Sequence, residues 1–133
     1  MKIQFEKEEA ENIFHNALCN AVGTGLIRGY GLEMGYDEED YKLAKEKWQK
    51  ENPNETACWE DVLMEILKIG KQLTIIDEEG DGEYTSSITI QDVHERVSTV
   101  SGRALLNIIQ EQDDADDADV VIQTVFFKEV IFG

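Results

Sequence analysis

Carboxylates are the side chains with which this sequence could do chemistry. Of its 133 residues, 29 are Asp or Glu and only 12 are Lys or Arg, which gives a formal net charge of −17. Carboxylates bind metal cations, transfer protons in catalysis and pair with basic protein surfaces. Two segments concentrate them: an acidic turn with Asp77, Glu78, Glu79, Asp81 and Glu83, and an aspartate run with Asp113, Asp114, Asp116, Asp117 and Asp119.

The spacing of these acids argues against a calcium loop. Counted from Asp77, an EF-hand loop would have Glu79 and Asp81 as its third and fifth residues, but its twelfth is Ile88, where a bidentate Glu is required. The aspartates of 113–119 crowd the start of one predicted helix, with no second cluster known to lie nearby. The sequence therefore predicts no structural metal site and no cofactor, and weak surface binding of a divalent cation by the aspartates of 113–119 stays open.

Signatures of catalysis are weak as well. The serine nucleophile pattern GxSxG does not occur, and the pair His94-Glu95 lacks the second histidine of HExxH, because position 98 is Ser98. Carboxylate pairs for acid–base catalysis stay open, although 29 acidic residues generate such pairs by chance. We therefore assign no catalytic residue, and an enzyme is the minority interpretation.

A glycine-rich segment, 23–36, is the other chemically suggestive stretch, with five of the ten glycines. It is not a dinucleotide-binding loop, because Arg28 stands where that motif requires Gly, and it lacks the Gly-Lys-Ser/Thr of a P-loop. The favoured interpretation is an irregular strand or extended loop whose apolar residues alternate onto one face. The alternative is that Arg28, Tyr30 and Tyr36 bind a small molecule or nucleotide.

A β-hairpin over about residues 72–90 organises the predicted fold. Two β-branched runs flank an acidic turn in which Gly80 and Gly82 are expected to take positive φ. An isolated hairpin is marginally stable, so helices must cover its apolar face. The members of that face are expected to be Leu73, Ile75, Ile88 and Ile90. The predicted fold is α+β and a single domain, 1–133: a central hairpin, with the glycine-rich segment as an optional further strand, packed against five or six helices.

Apolar periodicity places these helices. They are expected over 7–22, 37–50, 57–69, 91–98 and 101–112. The apolar segment 120–132 is predicted to be a buried helix, with a strand joining the hairpin as the alternative. Cys19 and Cys58 fall within helical patterns and are predicted to be reduced core thiols.

Location and partner class follow from charge and hydropathy. The N-terminus is too polar for a signal peptide, and no apolar run reaches the roughly 18 residues that span a bilayer. This predicts a soluble cytoplasmic protein without membrane contact. An acidic surface repels nucleic acid and attracts basic proteins, so the expected partner is a basic protein that contacts the ten clustered carboxylates.

Three stretches of the sequence resemble known proteins: GYGLEMGYDEEDY, CWEDVLMEILKIGKQLTIIDEEGDGE running into ITIQDVHERV, and QDDADDADVVIQTVFFKEVIFG. Together they cover most of the chain and are similar to a group of small acidic proteins encoded by bacteriophages and prophages of gut bacteria. The resemblance implies a phage accessory protein that binds a host or phage macromolecule in the host cytoplasm. It implies no particular site residues.

Three hypotheses of function follow. In the first, the acidic surface docks on a basic, nucleic-acid-binding host or defence protein and inhibits it, with carboxylates in place of phosphates. Against it stands the simpler view that acidity only keeps a small protein soluble. The second is a small-molecule binder that uses segment 23–36, and the third is a homo-oligomer built on the apolar C-terminal segment.

Overall fold

The computed structural model describes residues 4–133, which form an α+β fold of six helices and one three-stranded antiparallel sheet. The helices are α1 (Lys7–Ala17), α2 (Glu38–Glu51), α3 (Trp59–Lys68), α4 (Ile90–Arg96), α5 (Gly102–Ile109) and α6 (Ala115–Phe127). The strands are β1 (Leu32–Gly35), β2 (Leu73–Asp77) and β3 (Ser86–Ile88).

The predicted hairpin is present as part of this larger sheet. Strand β2 lies in the centre and pairs with β3, where Leu73 faces Ile88, and with β1, where Met34 faces Ile75. Leu73, Ile75 and Ile88 are fully buried, as expected from their alternation. The fourth expected member of that face, Ile90, instead begins α4, because Thr89 and Asp92 form a capping box that starts the helix there.

The acidic turn between β2 and β3 differs from its prediction at one glycine. Gly82 has φ +83°, as expected, but the preceding left-handed residue is Asp81, with φ +55°, rather than Gly80. Gly80 is required for space instead, since a Cβ there would overlap the Asp77 carboxylate. The backbone of the turn therefore packs closely around the Asp77 side chain.

The glycine-rich segment divides into short helical turns and a strand. Helix α1 continues into a π-helical turn, Leu18–Val22, and a 3-10 helix, Leu26–Tyr30, follows. Gly25 and Gly31 flank the 3-10 helix with φ of +82° and +78°, values that favour glycine. Only β1 joins the sheet, so part of the extended-strand interpretation is correct.

The C-terminal segment is a buried helix up to Phe127, so the strand alternative for 120–132 is wrong. Its side chains Val121, Ile122, Val125 and Phe126 lie in the core, and the Phe126 ring lies 6.2 Å from the ring of Phe14 in α1. Most of the apolar surface proposed for a homo-oligomer is therefore used within the chain. Among residues 4–133 no helix is both long and apolar enough to cross a bilayer.

Both cysteines are free thiols, but both are exposed, so the prediction of core thiols is wrong. Cys19 lies on the outer side of the π-helical turn, and Cys58 is the N-cap of α3. Desolvation, followed by the charges of Glu60 and Asp61, raises the pKa of Cys19. Desolvation and the contact with Asp61 raise the pKa of Cys58 to about 11.

Candidate functional site: an acidic face

Asp77 organises the hairpin turn from inside. Its Oδ1 accepts a hydrogen bond from the Gly80 N–H (2.8 Å) and its Oδ2 accepts one from the Tyr84 N–H (3.1 Å). Its own N–H donates to Thr85 Oγ1 (3.0 Å). Asp77 is only 5% exposed, so it does not belong to the acidic surface in which the sequence placed it. The turn carries its other predicted acids, Glu78, Glu79, Asp81 and Glu83, in solvent.

Two aspartates of the second cluster cap α6. Asp114 Oδ1 accepts from the Asp117 N–H (3.0 Å), and Asp117 Oδ2 accepts from the Asp114 N–H (3.1 Å). Asn107 of α5 also donates to Asp117 Oδ2 (3.1 Å). Carboxylates at this end complement the helix dipole, so part of this acidity serves the fold. Asp113 and Asp116 are exposed, and Asp113 borders a groove beside Ile13 of α1.

Asp119 is the second of the ten predicted surface acids that is in fact buried, with 7% exposure. Tyr30 donates its hydroxyl hydrogen to Asp119 Oδ2 (2.7 Å), and Gln123 Nε2 donates to Oδ1 (3.0 Å). Burial, and then this hydrogen bond, raise the pKa of Tyr30 to about 12. The sequence gives no sign that Asp119 lies on the inner side of α6, because it is one of five closely spaced aspartates.

Tyr30 also links the two acidic segments. Its hydroxyl reaches α6, and the following residue, Gly31, lies against the hairpin turn, where an added Cβ would come within 2.6 Å of Glu79 Cγ. The start of α6 and the hairpin turn are therefore joined by one tyrosine and its neighbour. Asp116 contributes to the electrostatic environment of the same Tyr30 hydroxyl.

Strand β1 adds a carboxylate that the sequence analysis missed. Glu33 is exposed and lies opposite Ile76 on β2, and its carboxylate contacts that of Glu78, whose pKa it raises through a shared hydrogen bond and like-charge repulsion. The alternation of β1 could have placed Glu33 outward, but not beside Glu78. We name the acidic face by its members: Glu33, Glu78, Glu79, Asp81, Glu83 and Asp116.

The three residues of the predicted ligand site do not line one cavity. Arg28 borders a cleft of about 140 Å³ with Glu33, Met34 and Trp59, among others. Tyr30 is engaged with Asp119, and the Tyr36 hydroxyl accepts a hydrogen bond from Trp59 Nε1 (3.1 Å). Small-molecule pockets are typically larger, at roughly 300–1,000 Å³.

Two histidines tie α1 to its neighbours. His15 Nε2 lies 3.0 Å from Asp61 Oδ1 of α3, and His94 Nε2 of α4 lies 2.7 Å from Glu11 Oε2. Cys19 follows His15 by one helical turn, so the residue types of a thiol, imidazole and carboxylate occur together. The pKa of Cys19 is raised, however, whereas a nucleophilic thiol needs a lowered one. We give this group no catalytic role.

The acids also form no ligand cage: within the described chain, 4–133, no three or more His, Cys, Asp or Glu side chains are grouped so that they could hold a metal ion. Comparison with protein-family models, with curated proteins and with solved structures finds no match to this chain.

Proposed function

We propose that this protein binds a basic protein partner through its acidic face. The observation that carries the proposal is that the hairpin turn and the start of α6, which both carry exposed carboxylates, are linked through Tyr30 and Gly31, next to the exposed Glu33 of β1. Such a surface attracts basic proteins and speeds their association. In this proposal the partner is a nucleic-acid-binding protein of a host cell, and the carboxylates occupy places that phosphates would take.

The resemblance to small acidic phage proteins supports the same setting. In it the protein acts in the host cytoplasm as an accessory protein, and it inhibits an enzyme or defence complex by covering the basic surface that would otherwise bind DNA or RNA. Binding of this kind depends on ionic strength, because its main term is the pairing of exposed charges.

The contact between Glu33 and Glu78 favours a binding role over a role in solubility alone. Solubility requires charge, but it does not require two carboxylates to lie in contact. A hydrogen bond with Glu33, and then charge repulsion between the two carboxylates, raise the pKa of Glu78, and a bound Lys or Arg would relieve that repulsion. The hairpin turn is also held by the buried Asp77, so the backbone that carries its exposed carboxylates is preorganised for binding.

Affinity capture with matched variants tests the proposal. The tagged protein is incubated with lysate of enteric bacteria at low salt and again at about 0.5 M salt, where the Debye length falls to about 4 Å. One variant neutralises three members of the acidic face: Glu78→Gln, Glu83→Gln and Asp116→Asn. The control removes the same number of charges from exposed residues elsewhere: Glu8→Gln, Glu46→Gln and Glu95→Gln.

We expect a nucleic-acid-binding protein to be retained by the wild type and the control at low salt. It should be lost at high salt and lost from the acidic-face variant. If both variants lose the retained protein equally, binding depends on net charge and not on the acidic face. If the wild type retains no protein at all, the proposal is contradicted.

A further inference from the structure

The outer side of the sheet is open to solvent. Because side chains alternate across a strand, Leu73 and Ile75 enter the core while Thr74 and Ile76 point outward. Ile76 is 40% exposed, and Glu33 on β1 and Ser87 on β3 are exposed on the same side. In the part of the chain that the structure describes, this is a sheet with only one face buried.

Ile76 is the apolar group on this open side, where the hydroxyls of Thr74 and Ser87 also lie, 2.7 Å apart. Gly35 on β1 has no side chain, and Ile76 Cδ1 occupies the space beside it, 2.7 Å from where a Cβ would stand. Ile76 therefore lies flat across the strand pair. A groove of about 380 Å³ runs from Ile76 and Thr74 towards Tyr36 and Asp40. A single aliphatic side chain from a partner would fit against this surface.

Carboxylates stand at both ends of the open side. At one end, Glu33 of β1 lies opposite Ile76 of β2. The Glu33 carboxylate also contacts the carboxylate of Glu78, two residues after Ile76 in the chain. At the other end, Asp37 and Asp40 line the groove at the start of α2. The groove is bordered by two acids and, among residues 4–133, by no basic side chain.

This charge pattern indicates which kind of partner can bind to the outer side of the sheet. A second copy docked face to face would set carboxylates against carboxylates, on two chains of net charge −17 each, and nucleic acid would be repelled for the same reason. An opposite charge at each end with an aliphatic group between them is complementary. We propose that the outer side of the sheet docks a basic segment of a partner protein in which an aliphatic side chain lies between lysines or arginines.

This inference rests on the proposed function and narrows it, since it selects Glu33 and Glu78 from the acidic face and adds Ile76, Asp37 and Asp40. It is tested with two synthetic probes, an oligolysine and an oligolysine of equal length that carries one central leucine. Each is titrated into ¹⁵N-labelled protein, and the shifted amide signals and the dissociation constant are recorded. Only the leucine-containing probe has an aliphatic side chain that can pack against Ile76.

We expect the leucine-containing probe to bind more tightly and to shift amides of β1 and β2. Ile76→Ser should weaken its binding roughly tenfold, the effect of losing one partly buried aliphatic contact, and leave oligolysine binding unchanged. Leu43→Ser is the matched control, because Leu43 is an exposed aliphatic residue on α2 (53%) and should not matter. Glu33→Gln with Glu78→Gln should weaken both probes without disturbing the core.

Two results would overturn the inference in different ways. If both probes bind equally and shift the hairpin turn and the start of α6 instead, the outer side of the sheet is not the docking surface, while the proposed function stands. If neither probe binds at low salt, the proposed function fails as well. Circular dichroism of each variant separates a lost contact from a lost fold.

Discussion

At the scale of single residues, Asp77 shows how an acid in an acidic stretch becomes structural. Its two oxygens accept hydrogen bonds from the N–H groups of Gly80 and Tyr84 in the turn. Asp77→Ala removes both hydrogen bonds. We expect a loss of about 2 kcal/mol in the free energy of unfolding, measured by urea titration with tryptophan fluorescence.

Glu83→Ala is the control for Asp77, because Glu83 is an exposed acid in the same turn. Surface substitutions of this kind change stability by about 0.5 kcal/mol or less. Similar losses in the two variants would show that the turn responds to charge rather than to the hydrogen bonds of Asp77.

Tyr30 gives a pH-dependent prediction. Its pKa rises from 10.0 to about 12, first through burial and then through the hydrogen bond to Asp119. The folded state therefore favours the protonated phenol, so this stabilisation is complete below pH 10 and is lost as the pH rises towards 12. We expect the urea midpoint of the wild type to fall more steeply across this interval than that of Tyr30→Phe.

Comparison with the variant isolates Tyr30 from the other groups that titrate at alkaline pH, including Tyr41, whose pKa is also raised by burial. Parallel pH profiles for the two proteins would contradict the assignment of the Tyr30–Asp119 hydrogen bond.

The residue scale is also where sequence reasoning was weakest. Asp77 carried a readable signal, since Asp at the first position and Gly at the fourth are typical of a type I turn, and Asp side chains in turns often bond to the backbone. Asp119 carried none, because its partner Tyr30 is 89 positions away in the chain. Glu33 was missed because its neighbour depends on the register between β1 and β2, which no local pattern specifies.

At the scale of elements, the end of the chain is held to α6 by one buried side chain. Gln123 Oε1 accepts from the N–H groups of Ile131 (2.7 Å) and Phe132 (2.8 Å), while its Nε2 donates to Asp119 and to the Phe132 carbonyl. The Phe132 ring stacks on Tyr30 at 5.1 Å. This explains why segment 128–133, which is not helical, still lies against the fold.

Gln123→Leu should release that segment. The side chain keeps its approximate size but loses every hydrogen bond, so we expect amide hydrogen exchange at Ile131 and Phe132 to accelerate at least tenfold, an effect of about 1.4 kcal/mol or more. Exchange in β2 should change less. The control Gln91→Leu alters an exposed glutamine of α4 and should leave both amides protected; unchanged exchange in Gln123→Leu would refute the role of Gln123.

Elements with a strong apolar period were predictable, and irregular ones were not. The alternation around Leu73, Ile75 and Ile88 correctly predicted the paired strands and their buried face, because burial on one side requires a period of two. The choice of helix for α6 was correct although β-branched residues favour strand, because packing on both sides outweighs that preference. The π-helical turn had no sequence signal, and Cys19 was misplaced with it.

At the scale of the whole molecule, the excess of acid over base works against compaction. The fold brings together carboxylates that are distant in sequence, as Glu33 and Glu78 show: a hydrogen bond between them, and then their charge repulsion, raise the pKa of Glu78. Attractive pairs exist as well: Lys47 lies 2.8 Å from Glu51 and 2.9 Å from the buried Glu65. With 29 acidic and 12 basic side chains, most carboxylates cannot have a basic partner of their own.

Salt should therefore stabilise this protein. Between about 0.01 M and about 1 M ionic strength the Debye length falls from about 30 Å to about 3 Å, which screens exposed repulsion more than the partly buried Lys47 pairs. We expect the melting temperature in calorimetry to rise by several degrees in sodium chloride. The melting temperature of Glu78→Gln should rise less with salt, since this variant no longer has the repulsion between Glu33 and Glu78. A melting temperature that falls with salt would mean that the few attractive pairs dominate, and the acidic face would then be balanced within the fold and not available to a basic partner.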